Sequence, residues 1–185
     1  MSNWQFALWV FVMVQRLIEL LIAHYNAQWI KKQGGYEVGK RHYPLFVLLH
    51  SFFLIAIWFE AHQAPSWWQV PLLIFILAQL LRLWSIQSLG RFWNTRIWIL
   101  PNHLAPVRGP YRYLRHPNYL AVMLEFLSLP LLYQAYMTAI LFSVLNAVLL
   151  IKWRIPIEEQ ALKEATPYHT IMSKKKRLFP SWKHR

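Results

Sequence analysis

Pro117-Asn-Tyr-Leu-Ala-Val-Met-Leu-Glu-Phe-Leu-Ser-Leu-Pro-Leu-Leu-Tyr133-Gln-Ala-Tyr136-Met-Thr-Ala-Ile-Leu-Phe-Ser-Val-Leu-Asn-Ala-Val-Leu-Leu-Ile-Lys-Trp153 decides the fold. Two apolar runs, residues 117–133 and 136–153, are separated only by Gln134 and Ala135. Each is close to the roughly 17–25 residues that carry an α-helix across a bilayer. A connection this short returns the second helix alongside the first, so the stretch reads as a helical hairpin. Toward the N-terminus lie three more runs, at about residues 4–23, 44–61 and 68–89. The expected fold is all-α: one polytopic membrane domain over residues 1–185, with about five transmembrane helices. A cytoplasmic segment, 154–185, follows. It is amphipathic rather than spanning, and Pro156 suits the first turn of its helix.

Composition agrees with lipid as the solvent. Hydrophobic residues make up 57% of the 185 and charged residues only 15%, against about a quarter charged in a soluble domain. The 11 Trp and 9 Tyr suit the aromatic belts of membrane interfaces. The absence of cysteine excludes disulfides, thiol catalysis and zinc–thiolate sites. The first run lacks the basic n-region and small-residue cleavage site of a signal peptide and is expected to stay in the mature protein.

The net charge of +13 does not point to nucleic acid, because the basic residues lie between and after apolar runs and no recognition motif accompanies them. Their layout instead predicts topology. Lys31, Lys32, Lys40 and Arg41 follow the first run, and Arg91, Arg96, Arg108, Arg112 and Arg115 follow the third. Lys152, Arg154, Lys163, Lys174, Lys175, Lys176, Arg177, Lys183 and Arg185 follow the fifth. The alternate loops hold no Lys or Arg. The positive-inside rule then places the N-terminus outside and the C-terminus in the cytoplasm. The 174–177 cluster reads as attraction to anionic membrane lipid.

Four charges fall inside expected spans, where they are costly and face a bundle interior or cavity. Arg16 and Glu19 share a helix face at i, i+3, and Arg82 and Glu125 are candidates for a cross-helix pair. His50 reads as a packed, hydrogen-bonded histidine. The eight histidines are scattered without the close helical spacing of a metal site, so no metal is expected.

Gly109-Pro-Tyr-Arg-Tyr-Leu-Arg-His-Pro-Asn-Tyr119 carries chemistry. Pro117 fits the first helical position, with His116 at the cap. The free N–H groups there would attract an anion. Tyr111, Tyr113 and Tyr119 offer aromatic faces for a purine or a sulfonium cation. The same residues also suit an ordinary helix start with interfacial Tyr and Arg anchors. A second stretch, Arg154-Ile-Pro-Ile-Glu158-Glu159, follows the fifth run, and the hairpin brings it to the same membrane face. Arg154 and Glu158 are spaced i, i+4, with Pro156 between them.

Arg115-His116-Pro117-Asn118-Tyr119, followed some forty residues later by Glu158-Glu159, resembles the pattern of the isoprenylcysteine carboxyl methyltransferase family. The likeness covers chiefly residues 90–168, and Arg16-Leu-Ile-Glu19 looks like the small bacterial branch. Phospholipid methyltransferases look similar in the same region. The resemblance implies an S-adenosyl-L-methionine cofactor, contacted by His116 and Tyr119, with Pro117 shaping the turn and Glu159 binding it; Tyr111, read above as an aromatic face, is expected to bind it as well. It implies that the catalytic pair Arg154 and Glu158 faces the acceptor. It further implies a lipophilic small-molecule acceptor drawn from the bilayer: an alkylpyrone made by a type III polyketide synthase, as in the small bacterial members, or a prenylcysteine-like carboxylate. Ala121 departs from the family, which commonly has Gly there.

The five glycines, at 34, 35, 39, 90 and 109, form no G-x-G-x-x-G, so any S-adenosylmethionine site is helical rather than of the Rossmann kind. Two other readings stand beside this one. Membrane sterol reductases share an Arg-His-x-Asn-Tyr stretch and use NADPH, but leave Glu158-Glu159 unexplained. A non-enzymatic scaffold or transport subunit would use Arg16, Glu19, Arg82 and Glu125 to line a polar path.

Overall fold

The computed structural model describes residues 1–103, 106–172 and 175–178. Lys174, Lys183, His184 and Arg185 lie outside them. The chain is mostly helical. Helices α1 (Asn3–Lys32), α2 (Tyr43–Glu60), α3 (Gln69–Leu89), α4 (Pro117–Leu131) and α5 (Tyr136–Val148) form the body. Beyond α5 come α6 (Ile155–Ala165) and the short α7 (Tyr168–Met172). Among the described residues, four helical stretches are long and apolar enough to cross a membrane: Asn3–Lys32, Lys40–Glu60, Gln69–Phe92 and Tyr136–Ala165. Helix α4 has 15 residues, about 22 Å at 1.5 Å per residue, against a hydrocarbon core of about 30 Å. It ends at Leu131 because Pro130 sits in its last turn and Gln134 turns the chain at φ +53°.

Two helices outrun the sequence reading. Helix α1 continues past Ala23 to Lys32 because nothing breaks it before the glycine pair. Gly34 has φ +88°, and a Cβ on Gly35 would stand 2.8 Å from the Ile99 carbonyl. The fifth run does not stop at Trp153. Residues Leu149–Arg154 form a π-helical stretch leading directly into α6. Pro156 has no N–H and its ring crowds the carbonyl four residues back. A widened turn just before it lets the helix continue.

The core between α1, α2, α3 and α4 is built from Val12, Leu49, Phe53, Ile57, Phe75, Phe126 and Leu129. Phe53 and Phe126 stack with centroids 4.1 Å apart. The outer faces carry exposed Leu17, Leu21, Phe52, Phe59, Leu73 and Ile140. In lipid such faces cost nothing, so packing and polar contacts hold the helices together. At one end of the bundle, Gln5 Nε2 donates to the Leu132 carbonyl at 2.8 Å and Tyr133 Oη to the Gln5 carbonyl at 2.7 Å. There Glu60, closing α2, accepts from the N–H groups of Met137 and Thr138 at 2.8 Å each and so caps α5.

The four charges inside the bundle form one closed ring. Arg16 reaches Glu19 at 2.7 Å and also Glu125; Arg82 reaches Glu19 at 3.1 Å and Glu125 at 2.6 Å. Gln15 and Gln79 tie the two carboxylates together, donating to Glu19 at 2.9 Å and Glu125 at 3.1 Å. The two pairs read from the sequence are therefore one network linking α1, α3 and α4. His50 is packed: Nδ1 meets the Phe46 carbonyl at 2.7 Å, and its ring stands edge-on to Phe126.

At the other end of α1 two loops meet in a small antiparallel sheet, β1 (Tyr36–Val38) with β2 (Ile97–Ile99), pairing Tyr36 with Ile99 and Val38 with Ile97. It packs on α6 through Ile97, Ile99, Val38, Ile157 and Ala161. Three-residue strands carry too short an alternation to read from sequence, yet this sheet sets the loop that faces Arg154.

Candidate functional site

Three pieces of chain, the second and third contiguous, build the site. The first is the turn at Gly109–Arg112 and the start of α4. Gly109 has φ +56°, and a Cβ there would stand 2.0 Å from Ser88 Oγ, so only glycine lets this turn lie against α3. The turn buries Tyr111. His116 caps α4, Pro117 is its first residue, and Tyr119 lies in its first turn. The second piece is the π-helical stretch, which ends on the buried Arg154. The third is the start of α6, bearing Glu158 and Glu159.

These pieces converge. His116 lies between the two acids: its Nε2 is 3.1 Å from Glu159 Oε1 and its Nδ1 is 3.6 Å from Glu158 Oε2. The imidazole stacks on the Tyr119 ring, with centroids 5.3 Å apart. Arg154 and Glu158 are linked through Tyr119, which accepts from Arg154 Nε at 3.0 Å and donates to Glu158 Oε2 at 2.5 Å. Arg154 Nη2 also donates to the Thr95 carbonyl at 2.7 Å, and its guanidinium lies over the Phe46 ring. Position and direction of Arg154 are thus fixed from two sides. Burial pushes the Tyr111 phenol up, so it stays neutral at physiological pH.

A cleft of about 70 Å³ opens between these groups and the sheet loop, lined by Tyr111, Asn118, Tyr119, Arg154 and Glu158 together with Trp93 and Trp98. Asn118 Oδ1, Trp93 Nε1 and Trp98 Nε1 are buried without a hydrogen-bond partner among the described residues. Native buried polar atoms are nearly always satisfied. An acceptor and two N–H donors beside aromatic faces suit a purine nucleoside. The cleft is narrower than the roughly 300 Å³ of a small-molecule pocket, so side chains must shift to admit one.

A sequence model of the isoprenylcysteine carboxyl methyltransferase family matches residues 71–164. The chain belongs to this family. The match takes in α3, the 109–119 stretch, α4, α5 and nearly all of α6, and so all the candidate site residues. "Uncharacterized protein YpbQ" of Bacillus subtilis is 43% identical over 157 residues, which is 83% of this chain and 93% of the relative. An uncharacterized protein of Haemophilus influenzae is 30% identical over 161 residues, 84% of this chain and 93% of the relative. Membership in the isoprenylcysteine carboxyl methyltransferase family implies a membrane methyltransferase, and methyltransferases of this family use S-adenosylmethionine.

The seven residues singled out in the sequence are thus brought together: His116, Pro117, Tyr119, Glu159, Tyr111, Arg154 and Glu158. Others were missed. The Thr95 carbonyl holds Arg154 through a backbone atom, which no residue type announces. Arg115 Nη1 reaches Glu159 at 3.3 Å, and Arg177 grips the same carboxylate at 2.7 Å. The 174–177 cluster, read as attraction to lipid, is partly turned inward: Lys175 Nζ donates to the Tyr111 carbonyl at 2.8 Å. Charge spacing along the sequence shows none of this, since Arg177 lies 18 residues beyond Glu159.

Proposed function

We propose that this chain is an S-adenosylmethionine-dependent methyltransferase that acts on a lipophilic acceptor at the cytoplasmic membrane face. The observation that carries this reading is the meeting of His116, from the cap of α4, with Glu158 and Glu159 of α6, beside a cleft lined by Tyr119, Arg154 and Glu158. Bound S-adenosylmethionine would supply a methyl group made electrophilic by its sulfonium. His116, Pro117 and Glu159 would hold this donor. Tyr111 and Tyr119 would offer it aromatic faces, and Asn118, Trp93 and Trp98 would be available to its polar groups.

Arg154 orients the acceptor oxygen. The guanidinium already donates to Tyr119 and Thr95, so it aligns an anionic oxygen without binding it so tightly that the ground state gains more than the transition state. Glu158 is placed to take the proton that an acceptor hydroxyl would lose on methylation, while the donor's sulfur would leave with the electron pair of its bond to the methyl group. Alignment and water exclusion supply most of the acceleration, which is several kcal/mol for well-positioned reactants.

Within this proposal α4 is a fifth, short crossing that forms a hairpin with α5, and the basic loops face the cytoplasm. The chain has no cysteine, so single-cysteine labelling tests this directly. Ser2→Cys is expected to label from outside intact cells and Lys176→Cys only after permeabilisation. The acceptor we favour is an enol or phenol on a long alkyl tail, of the alkylpyrone kind. A proton-accepting Glu158 suits a hydroxyl, and the apolar helix faces offer a lipid route to the rim.

The test is mass spectrometry of a lipid extract incubated with membranes and methyl-labelled S-adenosylmethionine. Label is expected in a hydroxylated alkyl lipid, and it should disappear in Glu158→Gln. Label in a prenylcysteine or in a phospholipid amine would reassign the acceptor. No label in any lipid would overturn the proposal.

A further inference from the structure

Glu159 is more heavily engaged than any other carboxylate of the site. Its Oε1 meets His116 Nε2 at 3.1 Å and Arg115 Nη1 at 3.3 Å; its Oε2 meets Arg177 Nη2 at 2.7 Å and Arg177 Nε at 3.1 Å. Two guanidiniums and an imidazole therefore share one carboxylate. The Arg177 side chain is 53% exposed while that of Glu159 is only 12% exposed, so Arg177 closes over Glu159 from the solvent side. The hydrogen bond to Glu159 raises the pKa of Arg177, which stays charged throughout the working range.

Backbone contacts hold this arrangement in place. The N–H of Arg115 donates to the Lys176 carbonyl at 2.9 Å and that of His116 to the Arg177 carbonyl at 3.0 Å. Arg115 Nε donates to the Lys175 carbonyl at 2.7 Å. Residues 175–177 thus run as a strap beside 114–116, making one parallel bridge between Leu114 and Lys176. The strap fixes the backbone of Arg177 but leaves its long side chain free to change partner.

We propose that Arg177 binds the carboxylate of the donor's amino-acid end, leaving Glu159 to receive the ammonium. This inference rests on the methyltransferase reading. An α-amino acid end is a zwitterion, and Glu159 with Arg177 is its complement. Inserting one into the other exchanges a protein–protein ion pair for two protein–ligand ion pairs. No charge is stranded in the half-buried site, where a single unpaired ion is costly. A guanidinium fork matches a carboxylate through two parallel N–H donors.

Equilibrium binding to the purified full-length protein separates the parts of this claim. The two probes are S-adenosylhomocysteine, which keeps the amino-acid end, and 5′-methylthioadenosine, which lacks it. Arg177→Ala is expected to weaken S-adenosylhomocysteine roughly tenfold or more and to leave 5′-methylthioadenosine unchanged. Arg177→Lys should recover part of the loss, because it restores charge without the fork. Unchanged 5′-methylthioadenosine binding also reports that the variant is folded. Equal losses for both probes, or no loss for either, would overturn the role of Arg177 while leaving the methyltransferase reading intact. A wild-type protein that binds neither probe would overturn both.

Discussion

The charged ring inside the bundle and the charged rim at its end use the same residue types to opposite effect. In the ring, two arginines alternate with two glutamates, and each carboxylate meets both guanidiniums. Glu125 and Arg82 are almost entirely buried. Such a network offers a ligand little, and it locks α1, α3 and α4 to one another. At the rim, Arg154 and Glu158 line a cleft, His116 lies between Glu158 and Glu159, and Asn118 Oδ1, Trp93 Nε1 and Trp98 Nε1 have no partner among the described residues. The lesson is that ionisable residues in a membrane protein divide by where they stand: the ring ties packed helices together, whereas Arg154 and Glu158 line a cleft. Number and depth alone do not separate structure from chemistry.

The strongest way to break this contrast is Arg82→Ala. It leaves two buried carboxylates sharing one guanidinium, and removing one partner of a buried pair costs about 3–5 kcal/mol. Thermal unfolding in detergent should show a large drop in stability, with yield falling in parallel. Next comes Glu158→Gln, which removes the base but keeps the shape. Methyl transfer is expected to fall about a hundredfold or more, roughly 2.7 kcal/mol in barrier, with the unfolding temperature nearly unchanged. If Glu158→Gln unfolded the protein as severely as Arg82→Ala, the distinction between ring and rim would fail.

Two smaller effects sharpen it. Arg82→Met combined with Glu125→Leu removes one cation and one anion together and leaves Arg16 paired with Glu19. The double variant should lose less stability than Arg82→Ala, by about 2 kcal/mol in a double-mutant comparison. Glu60→Ala touches neither region. It removes the cap on α5, should cost about 1 kcal/mol, and should leave S-adenosylhomocysteine affinity unchanged.

Much of this was legible in the sequence because membrane helices announce themselves through apolar length. The runs at 44–61 and 68–89 became α2 and α3 within a residue or two. The run at 4–23 was legible only as far as lipid extends; its helix carries on until glycine stops it at Lys32. The break expected at Trp153 was absorbed by the π-helical turn, a backbone adjustment that leaves no compositional trace. At the site, His116, Tyr119, Glu158 and Glu159 were legible because a motif keeps them at fixed spacing. Arg177 was not, since its charge looked like part of a lipid-facing tail. The pairing of Arg16 with Glu19 could be read from helical spacing, but their closure into a ring with Arg82 and Glu125 depends on how three helices pack.

The most direct test of the central claim is a cofactor titration of purified wild-type protein and Glu159→Ala with S-adenosylhomocysteine and with NADPH. The account predicts saturable binding of S-adenosylhomocysteine to wild type, loss of that binding in Glu159→Ala, and no binding of NADPH to either. Saturable NADPH binding, or S-adenosylhomocysteine binding untouched by the loss of Glu159, would contradict it.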